Sequence, residues 1–329
     1  MSAQSPHRFQ ILALDGGGLK GIFSAAILAA IEEDLGEVLS DRFDLITGTS
    51  TGGLIALGLG AGLRPAELVS FYADNARRIF RGRRRLRAVR QVFRSKYRAA
   101  PLRDTLSDVF GERVLGESSK RLVIPTFNVG QDCVHIFKTP HHERLKRDWR
   151  VPIVDVALAA TAAPTYFPAH IVQEMRLIDG GVWANNPSAV GVAEAVSMLG
   201  VPLDAVRVFS LGTTRDLTAR ASVLDRGGIA AWARKRAILD VILGGQSIAA
   251  NNLTRHLVGD DRLLRINPDV PAAMFALDRV DAKQLLGMAA HHSRELRPRY
   301  EQLFAEHIAS RYEPLHINLN ERATEVEPT

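Results

Sequence analysis

The chain has 329 residues, of which 46% are hydrophobic and 24% charged, so it can bury a sizeable core and lacks the composition of a disordered protein. Its single cysteine, Cys133, excludes an internal disulfide, and the absence of an N-terminal signal core or of an apolar run of roughly 18 residues predicts a cytoplasmic protein. The formal net charge of +6 is local, because eleven basic residues and no acidic one lie between Arg77 and Arg98.

The first predicted element is a buried strand from Phe9 to Leu14. It runs into a glycine loop at 15–21, DGGGLKG, which is followed by a predicted helix from Ile22 to Leu35. A glycine loop between a strand and a helix brings several N–H groups together and suits a phosphate or an oxyanion. The loop also fits G-x-G-x-x-G, but a dinucleotide fold requires an acidic residue after the next strand, and Asp15 would lie beside a pyrophosphate. The Walker A pattern is absent.

The next predicted strand ends at Gly48 in the segment 48–52, GTSTG, which fits G-x-S-x-G. A helix is predicted from Leu54. This pattern at a strand-to-helix turn is typical of a nucleophile elbow, in which the serine hydroxyl projects outward. The segment therefore makes Ser50 a candidate nucleophile, and the alternative is a Gly/Ser/Thr-rich turn without chemistry.

An arginine-rich segment follows a helix that begins at Arg64-Pro65. Between Arg83 and Tyr97, apolar residues fall at helical spacing among the arginines, which predicts a basic amphipathic helix of the kind found at membrane surfaces. The alternatives are a solvated helix face or a flexible insertion, and no nucleic-acid motif is present, so we expect no nucleic acid. The candidate anion or membrane patch comprises Arg77, Arg78, Arg81, Arg83, Arg84 and Arg85.

The remaining sequence continues the alternation of helices and strands. Helices are predicted at Pro101–Phe110, Val151–Thr161 and Ser188–Leu199, and strands at Leu122–Val129, Val134–Phe137, Arg176–Ile178 and Ala205–Leu211. Two helices are predicted within Asp281–Ser310, divided near Pro298. A further helical stretch is predicted from Ile229 to Leu257 with a break at Gly244-Gly245, and an edge strand from Arg262 to Asn267.

Three motifs in order, DGGGLKG at 15–21, GTSTG at 48–52 and DGG at 179–181, resemble those of the patatin-like phospholipases, as does the turn APTYFP at 163–168. The resemblance implies an α/β fold, a three-layer α/β/α sandwich around a mostly parallel sheet with a helical C-terminal portion. We expect a catalytic domain at 11–190 whose core continues to about 212, with a basic insertion at 77–104. The mainly helical portion at 213–329 is expected to pack on the same domain.

The resemblance also implies the chemistry, which is hydrolysis of lipid acyl esters of the phospholipase A type. Ser50 would be the nucleophile, Asp179 the general base, and the N–H groups of Gly16, Gly17 and Gly18 the oxyanion hole. Lys20 stands where the family has arginine or lysine. From the residues themselves, we expect Asp15 to brace the glycine loop through backbone hydrogen bonds. Neither a metal nor a catalytic cofactor is expected.

Two alternatives use the same residues differently. A Ser-His-Asp triad would need a histidine after the acid in the sequence, and the candidates by order are His256, His291, His292, His307 and His316. A non-catalytic basic scaffold that binds membrane or nucleic acid is the second alternative.

A narrower resemblance concerns regulation. The start of the chain is similar to that of the bacterial patatin-like effectors of cyclic-oligonucleotide antiphage systems (CBASS), which implies activation by a cyclic dinucleotide such as cyclic GMP-AMP. The implied partner is membrane phospholipid, contacted peripherally at the inner membrane surface. Arg77–Arg98 and Arg234-Lys235-Arg236 are candidate phosphate-binding segments. A constitutive, unregulated lipid hydrolase is the alternative, and a homo-oligomer remains open.

Overall fold

A computed structural model of the chain describes residues 8–79, 95–217, 237–271, 274–278 and 280–315. The strands are β1 (Phe9–Leu14), β2 (Leu45–Gly48), β3 (Arg121–Asn128), β4 (Cys133–Lys138), β5 (His170–Val172), β6 (Met175–Asp179), β7 (Val206–Leu211), β8 (Arg215–Leu217), β9 (Leu263–Ile266) and β10 (Asp269–Pro271). The helices are α1 (Gly21–Leu35), α2 (Thr51–Gly60), α3 (Pro65–Ile79), α4 (Ala100–Phe110), α5 (Ile153–Ala160), α6 (Gly181–Ala184), α7 (Ser188–Ser197), α8 (Ala237–Val258) and α9 (Ala282–Phe304).

The central sheet has the order β5-β6-β3-β2-β1-β7-β9, and β4 pairs with β3. Strands β3, β2, β1, β7 and β9 run parallel, β4 and β6 each pair antiparallel with β3, and β5 pairs antiparallel with β6. Leu14 of β1 pairs with Gly48 of β2 and with Leu211 of β7. The residues that follow these three strands therefore meet at one edge of the sheet.

Side chains of β1 alternate between two cores. Leu12 and Leu14 belong to a large core formed with α1, α2, α5 and α9, and Ile11 and Ala13 belong to a second core formed with α7. Because both faces of a parallel sheet are covered, the side chains of β1 are buried along its whole length, and all of them but Gln10 are apolar. The predicted mostly parallel three-layer α/β/α sandwich is confirmed.

Two predicted helix interruptions are wrong. Helix α9 continues through Pro298, because Tyr300 and Phe304 beyond it are fully buried against Phe209, with ring centroids at 5.2 and 5.6 Å. Helix α8 likewise continues through Gly244-Gly245, where a Cβ on either glycine would meet no other atom within 4 Å. In α9, burial beyond the proline outweighs the loss of a backbone hydrogen bond, and in α8 two glycines, each costing about 1 kcal/mol, do not end a helix of 22 residues.

Helices α8 and α9 are the longest in the described ranges. Neither they nor the shorter helices of those ranges combine the length and the apolarity that crossing a membrane requires.

Candidate active site

The turn between β2 and α2 presents Ser50 in a strained conformation. Its φ of 54° and ψ of −120° are uncommon for a residue with a side chain. A Cβ at Gly48 would lie 2.2 Å from the Gly52 carbonyl oxygen, and one at Gly52 would lie 2.2 Å from that of Leu14. Both glycines of the G-x-S-x-G segment are therefore needed because backbone segments touch there, as in a nucleophile elbow.

Asp179, the last residue of β6, lies beside Ser50. The Ser50 hydroxyl is close enough to the Asp179 carboxylate to lower its pKa, and the Gly181 N–H donates to Asp179 Oδ1 at 2.8 Å. Asp179 pairs with Thr126 of β3, and β3 in turn pairs with β2. Asp179 therefore lies near the end of β2, where Ser50 follows. The structure thus brings together two residues from distant parts of the chain.

Burial raises the pKa of Asp179 to about 6, and the neighbouring Ser50 hydroxyl and the Gly181 N–H oppose this rise. A carboxylate in a poorly solvated site is a stronger base than one in water. Asp179 is therefore better suited to accept a proton from a hydroxyl than an ordinary aspartate, while it is still mostly ionised at neutral pH.

The glycine loop lies directly over Ser50, since a Cβ at Gly16 would be 3.3 Å from the serine Cβ. The predicted set of three donors requires a correction, because the Gly16 N–H donates to the Asn185 carbonyl at 3.0 Å. In the described part of the chain, the N–H groups of Gly17 and Gly18 donate to no acceptor. Two of the three predicted donors are therefore available to an anion.

Asp15 has a different partner from the one expected. Arg265 of β9 donates to its two carboxylate oxygens at 2.7 and 2.5 Å, and the Ser247 hydroxyl donates at 3.2 Å, whereas no bond from the carboxylate to the loop backbone is present among the described residues. Burial raises the pKa of Asp15, and the guanidinium of Arg265 opposes that shift. Sequence reasoning missed Arg265, because a lone arginine on an edge strand carries no local motif.

A cleft of about 1600 Å³ opens over these residues. Its apolar lining is drawn from several helices and from the turn at 163–168, and includes Leu54, Phe71, Ile79, Leu102, Phe167 and Ile248. Lys20, Thr214 and Asn267 line a polar part of the same cleft, and the Lys20 ammonium donates to the Thr214 carbonyl at 3.4 Å. The cleft can therefore hold a ligand that has both long apolar and polar parts.

The arginine patch is only partly within the described residues. Arg78 is exposed at the end of α3 and donates to Asp108 at 3.0 Å, and Arg77 lies in the same helix. The other four residues of the patch lie outside the described residues: Arg81, Arg83, Arg84 and Arg85. The same is true of most of the predicted amphipathic helix and of the second candidate segment, Arg234-Lys235-Arg236.

The histidines proposed for a triad are not at the cleft. Among the described residues no histidine lines it. His291 and His292 pair with Glu295 on α9, His307 lies 2.7 Å from Asp44, and His256 is exposed on α8. His316 lies outside the described residues. No group of three or more His, Cys, Asp or Glu side chains in the described ranges could hold a metal ion.

Comparison with known proteins matches residues 12–190 to the family model described as patatin-like phospholipase. The chain is similar to a protein of Pseudomonas aeruginosa named cGAMP-activated phospholipase, with 35% identity over 83% of each chain. A protein of the same name from Escherichia coli is 33% identical over 88% of this chain and 89% of the relative. Among solved structures, VipD from Legionella pneumophila aligns over 92% of this chain and 68% of that one, with a TM-score of 0.49 and 12% identity.

Proposed function

The chain belongs to the patatin-like phospholipase family, and from this premise we propose that it hydrolyses acyl esters of membrane phospholipids with Ser50 and Asp179 as a catalytic dyad. The observation that carries the proposal is the placement of the Ser50 hydroxyl beside the buried Asp179 carboxylate, in one cleft and directly below the glycine loop. The large, mainly apolar cleft above them suits a lipid acyl chain.

The proposed reaction has two steps. Ser50 Oγ attacks the ester carbonyl while Asp179 accepts the hydroxyl proton, and collapse of the intermediate transfers that proton to the departing lysophospholipid oxygen. Water then attacks the acyl-serine, Asp179 accepts a proton from it, and the fatty acid leaves as Ser50 regains its own. Each step develops a negative charge on the carbonyl oxygen, for which the N–H groups of Gly17 and Gly18 are the nearest unengaged donors of the loop. Such donors contribute roughly 3 kcal/mol each in comparable sites.

The test of the dyad is release of fatty acid from phosphatidylglycerol vesicles. We expect Ser50→Ala and Asp179→Asn each to lower the rate by at least about 10³-fold, because the loss of either residue disables the whole catalytic unit. Ser70→Ala is the matched control, since Ser70 is exposed on α3 and bonds only within its helix, to the Ala66 carbonyl. A Ser50→Ala protein that retains the wild-type rate contradicts the proposal, whereas loss of activity in His307→Ala or His256→Ala favours a triad.

We further infer that a cyclic dinucleotide switches this hydrolase on, as expected of an antiphage effector acting peripherally at the inner membrane surface. Support comes from the names of the two bacterial relatives, each similar to this chain over more than four fifths of its length. The vesicle assay with and without cyclic GMP-AMP tests it. Fatty acid released only with the nucleotide supports the switch, and a full rate without it supports the constitutive alternative while leaving the dyad intact.

A further inference from the structure

A short segment at 275–278, which we call the strap, lies against the glycine loop. The Leu277 carbonyl of the strap accepts a hydrogen bond from the Leu19 N–H at 2.8 Å. A Cβ at Gly18 would lie 2.2 Å from the same carbonyl oxygen, so only a glycine at this position permits the contact. The strap is therefore in direct backbone contact with the loop that covers Ser50.

The hydrogen bonds of the loop backbone alternate in a way that bears on the proposed oxyanion hole. The Gly16 N–H donates to the Asn185 carbonyl at 3.0 Å, and the Leu19 N–H donates to the strap. The two N–H groups between these bonds are those of Gly17 and Gly18, the proposed oxyanion donors. Their positions are thus fixed by one protein hydrogen bond on each side, and the strap supplies the second of the two.

Both ends of the strap are anchored. The Phe275 side chain is 3% exposed and belongs to the large core. The Asp278 carboxylate accepts hydrogen bonds from the Lys96 ammonium and, at 2.5 Å, from the Tyr97 hydroxyl. The side chains of Asp278 and Lys96 are 10% and 18% exposed, so solvent screens this ion pair little. Burial acts to raise the pKa of Asp278, but the bonds from Lys96 and Tyr97 outweigh it and hold that pKa below its ordinary value.

The two residues that hold Asp278 are themselves fixed to another wall of the cleft. The N–H groups of Lys96 and Tyr97 donate to the carbonyls of Thr165 and Tyr166 at 2.9 and 2.8 Å. These carbonyls belong to the turn at 163–168, which contributes to the lining of the cleft. Through this chain of contacts, the position of the glycine loop depends on an ion pair on the far side of the strap.

We propose that the strap holds the glycine loop with the N–H groups of Gly17 and Gly18 directed at the reacting carbonyl oxygen, and that Asp278 is the positioning residue that anchors it. The inference rests on the proposed function, because it takes Ser50 to attack an ester below the loop. Donors stabilise a developing charge best when they are fixed in place beforehand. A loosened strap therefore slows the chemical step more than it weakens the binding of substrate.

The first measurement separates kcat from KM with a soluble p-nitrophenyl ester, with cyclic GMP-AMP present. We expect Asp278→Asn to lower kcat at least about tenfold and to leave KM within about twofold, because the loss falls on the transition state. Lys96→Met should act in the same way, and Lys96→Arg, which keeps the ion pair, should retain most of the rate. Asp269→Asn is the matched control, since Asp269 forms a half-exposed ion pair with Arg215, and we expect it to leave kcat unchanged.

The second measurement is binding of an alkyl trifluoromethyl ketone, which forms a hemiketal oxyanion with a reactive serine and so requires the oxyanion donors. Its inhibition constant should rise in Asp278→Asn by the same factor by which kcat falls. If kcat falls without a change in this constant, or if KM rises while kcat is kept, the strap does not position the donors. A lower Tm with unchanged kcat and inhibition would mean that Asp278 only stabilises the fold.

A third measurement needs no catalysis and so separates this inference from the proposed function. Hydrogen exchange is followed in a peptide that contains Leu19, whose N–H bonds to the strap. Release of the strap in Asp278→Asn should speed that exchange at least about tenfold, while a peptide from β3 keeps its rate. If the wild type hydrolyses no ester, the proposed function fails. Unchanged exchange at Leu19 overturns the strap, whether or not the wild type is active.

Discussion

Asp179 can accept a proton from Ser50 only while its carboxylate is ionised. Burial places its pKa at about 6, above the ordinary aspartate value of 3.8, because the charged form is poorly solvated. Protonation below this pH removes the base. If Asp179 is the proposed base, its raised pKa gives it base strength at neutral pH and makes the reaction fail in mildly acidic solution.

We predict that kcat/KM falls about tenfold per pH unit below pH 6 and is level above pH 7. The measurement is hydrolysis of a soluble p-nitrophenyl ester between pH 4.5 and 8, so that vesicle charge does not vary with pH. A circular dichroism spectrum at each pH checks that the fold persists. A rate that stays level down to pH 4.5 would show that Asp179 is not the base that limits the reaction.

At the scale of elements, most of the candidate site could be predicted from sequence motifs at the ends of strands. The glycine loop after β1, the serine turn after β2 and the DGG motif at the end of β6 were all predicted on strand ends, because each is a short segment whose turn chemistry is local. The partners of these segments were not predictable in the same way. The Asn185 carbonyl accepts a hydrogen bond from the Gly16 N–H, and the Arg265 guanidinium donates to the Asp15 carboxylate. Both contacts join distant parts of the chain, and no periodic pattern in the sequence indicates them.

The two wrongly predicted helix interruptions have the same origin, since tertiary contacts cannot be read from local sequence. Gly244-Gly245 and Pro298 are local helix-breaking signals, and they were correctly recognised as unfavourable. Helix α9 continues because the burial of Tyr300 and Phe304, which follow the proline, is a tertiary effect that outweighs the cost of the proline. A prediction from propensity alone cannot weigh a contact whose partner, Phe209, lies in another element.

We predict that Pro298→Ala stabilises the protein by about 1–3 kcal/mol. Pro298 is exposed inside α9, so alanine loses no packing, while it restores the N–H that can donate to the Arg294 carbonyl one turn earlier. Urea unfolding measures the difference. Pro202→Ala is the control, because Pro202 is exposed in a loop where no helical hydrogen bond can be regained. Equal or lower stability for Pro298→Ala would mean that α9 is already adapted to its proline.

At the scale of the whole molecule, the C-terminal part of the described chain adds an edge strand to the central sheet and a helix that packs on the N-terminal part. Strand β9 pairs with β7 as an edge of the central sheet, and α9 packs on α1. The Arg265–Asp15 ion pair joins that edge strand to the base of the glycine loop. We therefore propose that the described residues beyond 212 belong to the same folding unit as the proposed catalytic residues.

The Arg265–Asp15 ion pair allows this proposal to be tested through the free energy of unfolding. Both side chains are largely buried, with exposures of 12% and 4%, so removal of one partner leaves a charge without compensation. We predict that Arg265→Met lowers the free energy of unfolding by about 3–5 kcal/mol. Arg215→Ala is the control, since Arg215 forms a half-exposed pair with Asp269, and we expect a loss of at most about 1 kcal/mol.

The double variant Asp15→Asn/Arg265→Met distinguishes loss of the charge pair from loss of the arginine's packing. Without the Asp15 charge, most of the stability lost in Arg265→Met should return, because the main cost there is the unpaired carboxylate. A double variant as unstable as Arg265→Met would assign the loss to packing around β9. An Arg265→Met protein no less stable than Arg215→Ala would show that the edge strand and the glycine loop are not coupled through this pair.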